Sequence, residues 1–180
     1  MFVEPTEISG LHFGKIHGFE DERGRFAKID KTLLGLEAID SYLAVSYNIH
    51  KHTLRGMHLQ VSPFEERKFI YVVSGSIYDV IIDLRPNSQT YLKWTSVNLG
   101  PLENSDFVEI PSNCAHGYLT LEGNSTILYR INGVYSPNNS KNIRWDDPNF
   151  DIDWPAMPKK ISKQDTEIRH FKKSSLDGWT

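Results

Sequence analysis

A single cysteine, Cys114, means that no disulfide can close within these 180 residues, and it fits a reducing compartment. No apolar run approaches the roughly 18 residues of a membrane span. The opening stretch MFVEPTEISG has neither the basic nor the apolar region of a secretion signal, so a cytoplasmic protein is expected. Positive charge is not in excess: 20 Lys and Arg stand against 23 Asp and Glu, a formal net charge of −3, and the cations are scattered. That argues against a nucleic-acid partner and leaves small anions as ligands. Repeats of fixed period, low-complexity tracts and Pro/Gly/Ser-rich linkers are all missing, which excludes solenoids and propellers and leaves one domain over residues 1–180. Helical periodicity is scarce as well. Only KTLLGLEA (31–38) and the segment after Ser162, which suits an N-cap, read as short peripheral helices.

What is present is strand after strand. SYLAVSYNI (41–49), LRGMHLQ (54–60), KFIYVV (68–73), SIYDVIIDL (76–84), YLKWTSVNL (91–99), DFVEI (106–110), GYLTL (117–121) and TILYRI (126–131) are rich in β-branched and aromatic residues. SGS (74–76) and EGN (122–124) read as hairpin connections. Hydrophobic residues make up 39%, enough for a sizeable core. Strands of this number and length predict an all-β, antiparallel sandwich or jelly roll, the architecture that includes cupins.

Alternation along a strand assigns side chains to faces. His58 and Gln60 share a face with Gly56, and Arg55 points to the other. Lys68 falls with Ile70 and Val72, and Tyr129 with Ile127 and Ile131. A lysine and a tyrosine on apolar inward faces need an explanation. Metal-binding cupins resemble one another in a His-x-His motif followed by a Glu with a Gly seven residues beyond it, then a Pro with a His five residues on. Here those positions read His58, Gln60, Lys68 (seven before Gly75) and His116 (five after Pro111). Two histidines remain, one ligand position is an amide, and the carboxylate has become a cation that repels a divalent ion. That substitution argues against a bound metal.

Taken in order, DERGRF (21–26), LRGMHLQ (54–60), Lys68, Gly75, DVIIDLR (79–85), SQTYLKW (88–94), IPSNCAHGYLTL (110–121), LYRINGVYSP (128–137), RWDDP (144–148), IDWP (152–155) and SKQD (162–165) cover nearly the whole chain. In this order and spacing they resemble the dTDP-4-dehydrorhamnose 3,5-epimerase family. The resemblance implies a cupin-type fold and epimerisation of a nucleotide-linked 4-keto-6-deoxy sugar at C3, C5 or both, with no metal and no organic cofactor. It assigns the base to His58, its carboxylate partner to Asp165, the lysine to Lys68 and the acid to Tyr129. It assigns phosphate contacts to Arg23 and Arg55, an aromatic beside the nucleotide to Phe26, and further substrate contacts to Asn48, Gln60, His116 and Tyr135. It also implies a homodimer that exchanges N-terminal segments, with dTDP, CDP or GDP as the nucleotide. Three stretches depart from the family's pattern: GMHLQ for GLHYQ, a shortened segment between Asn48 and His58, and FEERK for a Gln-Gly-Lys stretch. They bear on the nucleotide, the sugar and the carbon inverted.

Those residue types suit the chemistry. Inverting a carbon beside a ketone removes a proton from one face and returns one to the other, so two groups on opposite sides are needed. A neutral imidazole is a competent base near pH 7, and an aspartate on its second nitrogen fixes the tautomer and steadies the cation formed. An ammonium aimed at the C4 oxygen, with His116 as a second donor, stabilises the enolate. The same ammonium would ease ionisation of Tyr129, and guanidinium groups match a diphosphate. Each residue also has a plain structural reading: a hydrogen-bonded core histidine at 58, an edge-guarding lysine at 68, core tyrosines at 129 and 135, a capping aspartate at 165, and surface ion pairs for Arg23 and Arg55. Two other functions stay open at this point: a metal-dependent cupin oxygenase or isomerase, and a non-catalytic sugar-nucleotide binding module.

Overall fold

The computed structural model describes residues 2–4, 6–29 and 41–171, and the helix expected over 31–38 lies outside them. Numbered along the chain, the strands begin with β1 (Phe2–Glu4), β2 (His12–Lys15), β3 (Gly18–Asp21), β4 (Gly24–Ala27) and β5 (Ser41–Asn48). They continue with β6 (Leu54–Gln60), β7 (Arg67–Ser74), β8 (Ile77–Asp83), β9 (Trp94–Leu99) and β10 (Phe107–Ile110). β11 (Cys114–Thr120), β12 (Ser125–Asn132) and β13 (Ser140–Asn142) complete them. One helical turn, α1 (Lys163–Thr166), follows, with Ser162 as its N-cap as expected. Among the described residues no helix is long and apolar enough to cross a membrane.

Two sheets face each other, one in the order β1-β2-β10-β7-β12-β5 and the other β13-β6-β11-β8-β9, while β3 and β4 form a separate hairpin. The strand pairings within them are antiparallel. This is the all-β, cupin-type antiparallel jelly roll with a short peripheral helix. The two expected hairpins are a correction, however. β7 and β8 lie in different sheets, as do β11 and β12, so SGS and EGN carry the chain across the sandwich. The reason is burial: Ile70 and Val72 of β7 meet Ile77 and Ile81 of β8 in one core from opposite sides. Side-by-side pairing would not put those stripes face to face.

Apolar residues fill three spaces. Between the sheets lie Ile70, Val72, Ile77, Ile81, Ile110 and Ile127, with Leu11 beside them. The outer face of the five-stranded sheet packs Met57, Leu59, Val80 and Ile82 under Phe150 and Phe171 of the C-terminal segment. The outer face of the six-stranded sheet packs Phe69 and Phe107 against Ile16. Both faces of β8 are therefore covered, and six of its seven residues are buried.

One irregularity positions the functional residues. Along β6 and β11, His58 pairs with His116 and Arg55 with Tyr118, so three residue steps on β6 oppose two on β11. A bulge of this kind turns a strand's alternation over. Gly56 absorbs it, with φ +122°, and an added Cβ would stand 2.5 Å from Gly117 Cα and 2.8 Å from the His116 carbonyl oxygen. Arg55 consequently lines the same cavity as His58 instead of pointing away from it. Gly56→Ala is expected to cost at least about 2 kcal/mol of stability from backbone strain and overpacking. Denaturant unfolding midpoints would register it, and a midpoint equal to wild type would contradict the bulge.

Candidate active site

Both sheets contribute to a cavity of about 390 Å³. Tyr42, Lys68 and Tyr129 enter from the six-stranded sheet, and Arg55, His58 and His116 from the five-stranded one. The four residues expected to run proton transfer fall together: His58, Lys68 and Tyr129 line the cavity, and Asp165 stands directly behind His58.

The His58–Asp165 pair is built by the C-terminal segment. After β13 the chain returns beside β6, where the Leu54 amide donates to the Lys160 carbonyl at 2.8 Å. Ser162 then caps α1 by accepting from the Asp165 amide at 3.1 Å. Arg144 donates to the Thr166 carbonyl at 2.9 Å, fixing the turn from the other side. Asp165 is thus part of a helix start, and its carboxylate still points to His58, with Oδ1 2.6 Å from Nε2. Burial opposes ionisation of Asp165, but hydrogen bonds from His58, Ser162 and the Gly56 amide outweigh it and hold the carboxyl below its usual range. An ionised aspartate accepts, so Nε2 of His58 carries the proton and Nδ1 keeps a lone pair.

Lys68 is almost wholly buried, at 8% exposure. Its ammonium lies 3.5 Å from Glu66 Oε2 and 3.5 Å from the His58 carbonyl oxygen. Burial lowers its pKa, and the charges of Glu66 and Asp79 partly restore it. Asp79 also holds His116, Oδ2 to Nε2 at 2.8 Å, while its Oδ1 has no hydrogen-bond partner among the described residues. Burial raises the Asp79 pKa against the pull of His116 and Lys68; with that carboxylate ionised, the bond gives Nε2 of His116 the proton. Donation from that ring to an enolate therefore needs its other nitrogen protonated as well.

Tyr129 is half-buried in a run of hydroxyls. It bonds to Tyr118, whose hydroxyl lies 3.0 Å from Ser46 Oγ and 3.3 Å from Asn48 Oδ1. Burial, followed by Tyr118 and Asp79, pushes the Tyr129 phenol well above its usual value. The charge that works against this rise is the Arg55 guanidinium rather than the Lys68 ammonium expected from sequence. A phenol so placed keeps its proton near neutral pH, as an acid must.

The expected substrate contacts divide. Arg55 sits at the cavity, held by Nε to Asn48 Oδ1 at 2.9 Å, so Asn48 acts through it. Tyr135 lines the rim and is 62% exposed. Gln60 reaches the wall with its amide committed to the backbone: it donates to the carbonyls of Phe64 and Val134 and accepts from the Ser136 amide. Arg23 and Phe26 lie apart, on the β3–β4 hairpin. Arg23 pairs with Asp21 at 2.5 Å, and Phe26 stands opposite Phe19, both rings exposed. Sequence reasoning missed Glu66, Asp79 and Tyr118. Asp79 was within reach, since alternation puts it on one face of β8 with Ile77 and Ile81, a charge among apolar residues as at Lys68. Among the described residues, no group of three or more His, Cys, Asp or Glu is disposed to hold a metal ion.

Comparison with known proteins accords with this site. The family model for dTDP-4-dehydrorhamnose 3,5-epimerase matches residues 5–173. An enzyme of that name from Shigella flexneri is 32% identical over 175 residues, covering 95% of this chain and 96% of the relative. One from Sinorhizobium fredii is 33% identical, covering 87% and 82%. The crystal structure of the Bacillus anthracis enzyme with TDP and pyrophosphate bound superposes with a TM-score of 0.85 at 30% identity, covering 94% of this chain and 99% of that one. The Legionella pneumophila enzyme, solved with dTDP-4-keto-L-rhamnose, gives 0.84 at 28% identity, covering 97% and 96%. With an acid–base cavity in a jelly roll and a match of this extent, the chain belongs to the dTDP-4-dehydrorhamnose 3,5-epimerase family and is an epimerase.

Proposed function

We propose that the cavity binds a dTDP-linked 4-keto-6-deoxy sugar and inverts C3, C5 or both, with His58 as base, Tyr129 as acid and Lys68 facing the C4 oxygen. The single observation that carries this is the placement of an imidazole and a phenol, from opposite sheets, on one cavity with a buried ammonium. Nδ1 of His58 takes the proton beside the ketone, and Asp165 supports the imidazolium. Lys68 meets the charge that develops on oxygen. Tyr129 returns a proton to the other face.

Arg55 at the cavity supplies one cation for the diphosphate. Arg23 and Phe26 serve a second copy: their hairpin leaves Phe19 and Phe26 85% and 66% exposed and is pinned to its own body through Arg25, 2.6 Å from Asp106. Strand β5 supports the same homodimer, since it ends its sheet with Leu43, Val45 and Tyr47 exposed. The composition and the lack of a described membrane helix favour a cytoplasmic enzyme. Incubation with dTDP-, CDP- and GDP-linked 4-keto-6-deoxy sugars in deuterium oxide, followed by NMR, tests the assignment. Deuterium at C3 or C5 of the dTDP sugar, with inversion, is expected. No exchange on any of the three would refute it.

A further inference from the structure

We infer that Glu66 reads the sugar: its carboxylate accepts a hydrogen bond from the hydroxyl on C3, the carbon beside the ketone, and so selects substrates that carry a donor there. This rests on the epimerase assignment above and gives a substrate contact to a residue that the catalytic scheme uses only as a counter-charge to Lys68. Glu66 lies two residues before Lys68, immediately ahead of β7, and lines the cavity. Its side chain is only 6% exposed. Among the described residues its polar neighbours stand at the outer limit of hydrogen bonding, Lys68 Nζ at 3.5 Å from Oε2 and the Tyr42 hydroxyl at 3.5 Å from Oε1. An ionised carboxylate has about four lone-pair sites, and a buried one short of donors is costly. Tyr42 feels this charge: burial, then Glu66, pushes its phenol up to about 12, so it stays a donor.

The position of Lys68 fixes which substrate group comes within reach. With the ammonium on the C4 oxygen, a carboxylate beside the same ammonium faces substituents on the carbons flanking C4. C5 carries a methyl group and the ring oxygen, neither of which donates. C3 carries a hydroxyl, which does. A carboxylate accepts only, so a substituent unable to donate leaves it unpaired, and sites built around a hydroxyl reject analogues that lack it.

Calorimetry with dTDP-6-deoxyglucose and its 3-deoxy counterpart tests this, because neither sugar has a ketone to enolise and binding is read without turnover. Wild type is expected to bind the hydroxyl form roughly 10- to 100-fold more tightly, the range of a hydrogen bond to a charged group. Glu66→Gln keeps the shape and makes the acceptor neutral, so the ratio should narrow about tenfold. A wild-type ratio within about threefold overturns the inference even where the variant does not fold, and so does an unchanged ratio in Glu66→Gln. Hydroxyl discrimination lost on Glu66→Gln, in a protein that exchanges no proton of the 4-keto sugar, upholds Glu66 and refutes the epimerase assignment alone.

Discussion

Lys68→Met is expected to lower kcat by about two to three powers of ten while leaving affinity for dTDP within a few-fold. Removing a proton beside a ketone places negative charge on the C4 oxygen, and nothing stabilises that charge more directly than a fixed cation in a dry site. Lys68 has the burial, and two carboxylates oppose the loss of its charge. Desolvation drives its pKa down, while Glu66 at 3.5 Å and the more distant charge of Asp79 resist. Methionine keeps the length and loses the ammonium, so the ground-state complex is little changed and the transition state is not. The pH dependence follows with a definite sign. A cation whose pKa is lowered gives up its proton as pH rises, so kcat falls on the alkaline side before the ordinary lysine value is reached. The loss should be absent from Lys68→Met, whose rate is already low. Steady-state kcat across pH 6–10 would show both effects, and a variant within about threefold of wild type would remove Lys68 from the mechanism.

The strands were legible because β-branched and aromatic runs are dense, and burial confirms the faces assigned to Lys68, Ile70 and Val72. The same alternation misplaced Arg55. One extra residue at Gly56 reverses every assignment before it, and only the φ of +122° and the contact with Gly117 reveal the bulge. Sheet membership of the turns at SGS and EGN was illegible for another reason: a two- or three-residue turn can join neighbours in one sheet or cross between two, and the choice rests on which apolar stripes meet. β8 hides its own orientation, since both its faces are covered and YDVIIDL shows no clean alternation. β3 and β4 went unseen because four-residue strands carrying Gly, Asp and Arg lack a strand's composition. The resemblance, by contrast, brought His58, Lys68, Tyr129 and Asp165 together from positions more than a hundred residues apart. It could not give the atoms. Nε2 as the paired nitrogen of His58, and Tyr118 and Asp79 as the neighbours of the acid and of His116, come from the packing alone.

Removal of either proton-transfer group should be as severe as loss of Lys68, and the two losses should differ in kind. General acid–base groups contribute roughly 10²- to 10⁴-fold, so His58→Asn and Tyr129→Phe should each lower inversion by that order. His58→Asn has no base. Deuterium from solvent should then fail to enter the sugar at all, because the enolate never forms. Tyr129→Phe retains the His58–Asp165 pair, so the proton still leaves and the ammonium still holds the enolate. With no acid on the far face, His58 is the one group placed to return a proton, and in deuterium oxide, once its N–H has exchanged with solvent, it returns deuterium to the face it took hydrogen from. Exchange without inversion is the expected signature. Its physical basis is the setting of Tyr129, half-buried beside Tyr118 and near Asp79: a phenol whose pKa is pushed up stays protonated at neutral pH, and a carbanion is basic enough to take that proton where water is not. NMR of the C3 and C5 positions during turnover separates the cases. Full inversion by Tyr129→Phe would assign the acid elsewhere, with Tyr118 next in the hydroxyl run, and exchange by His58→Asn would leave the base without its imidazole.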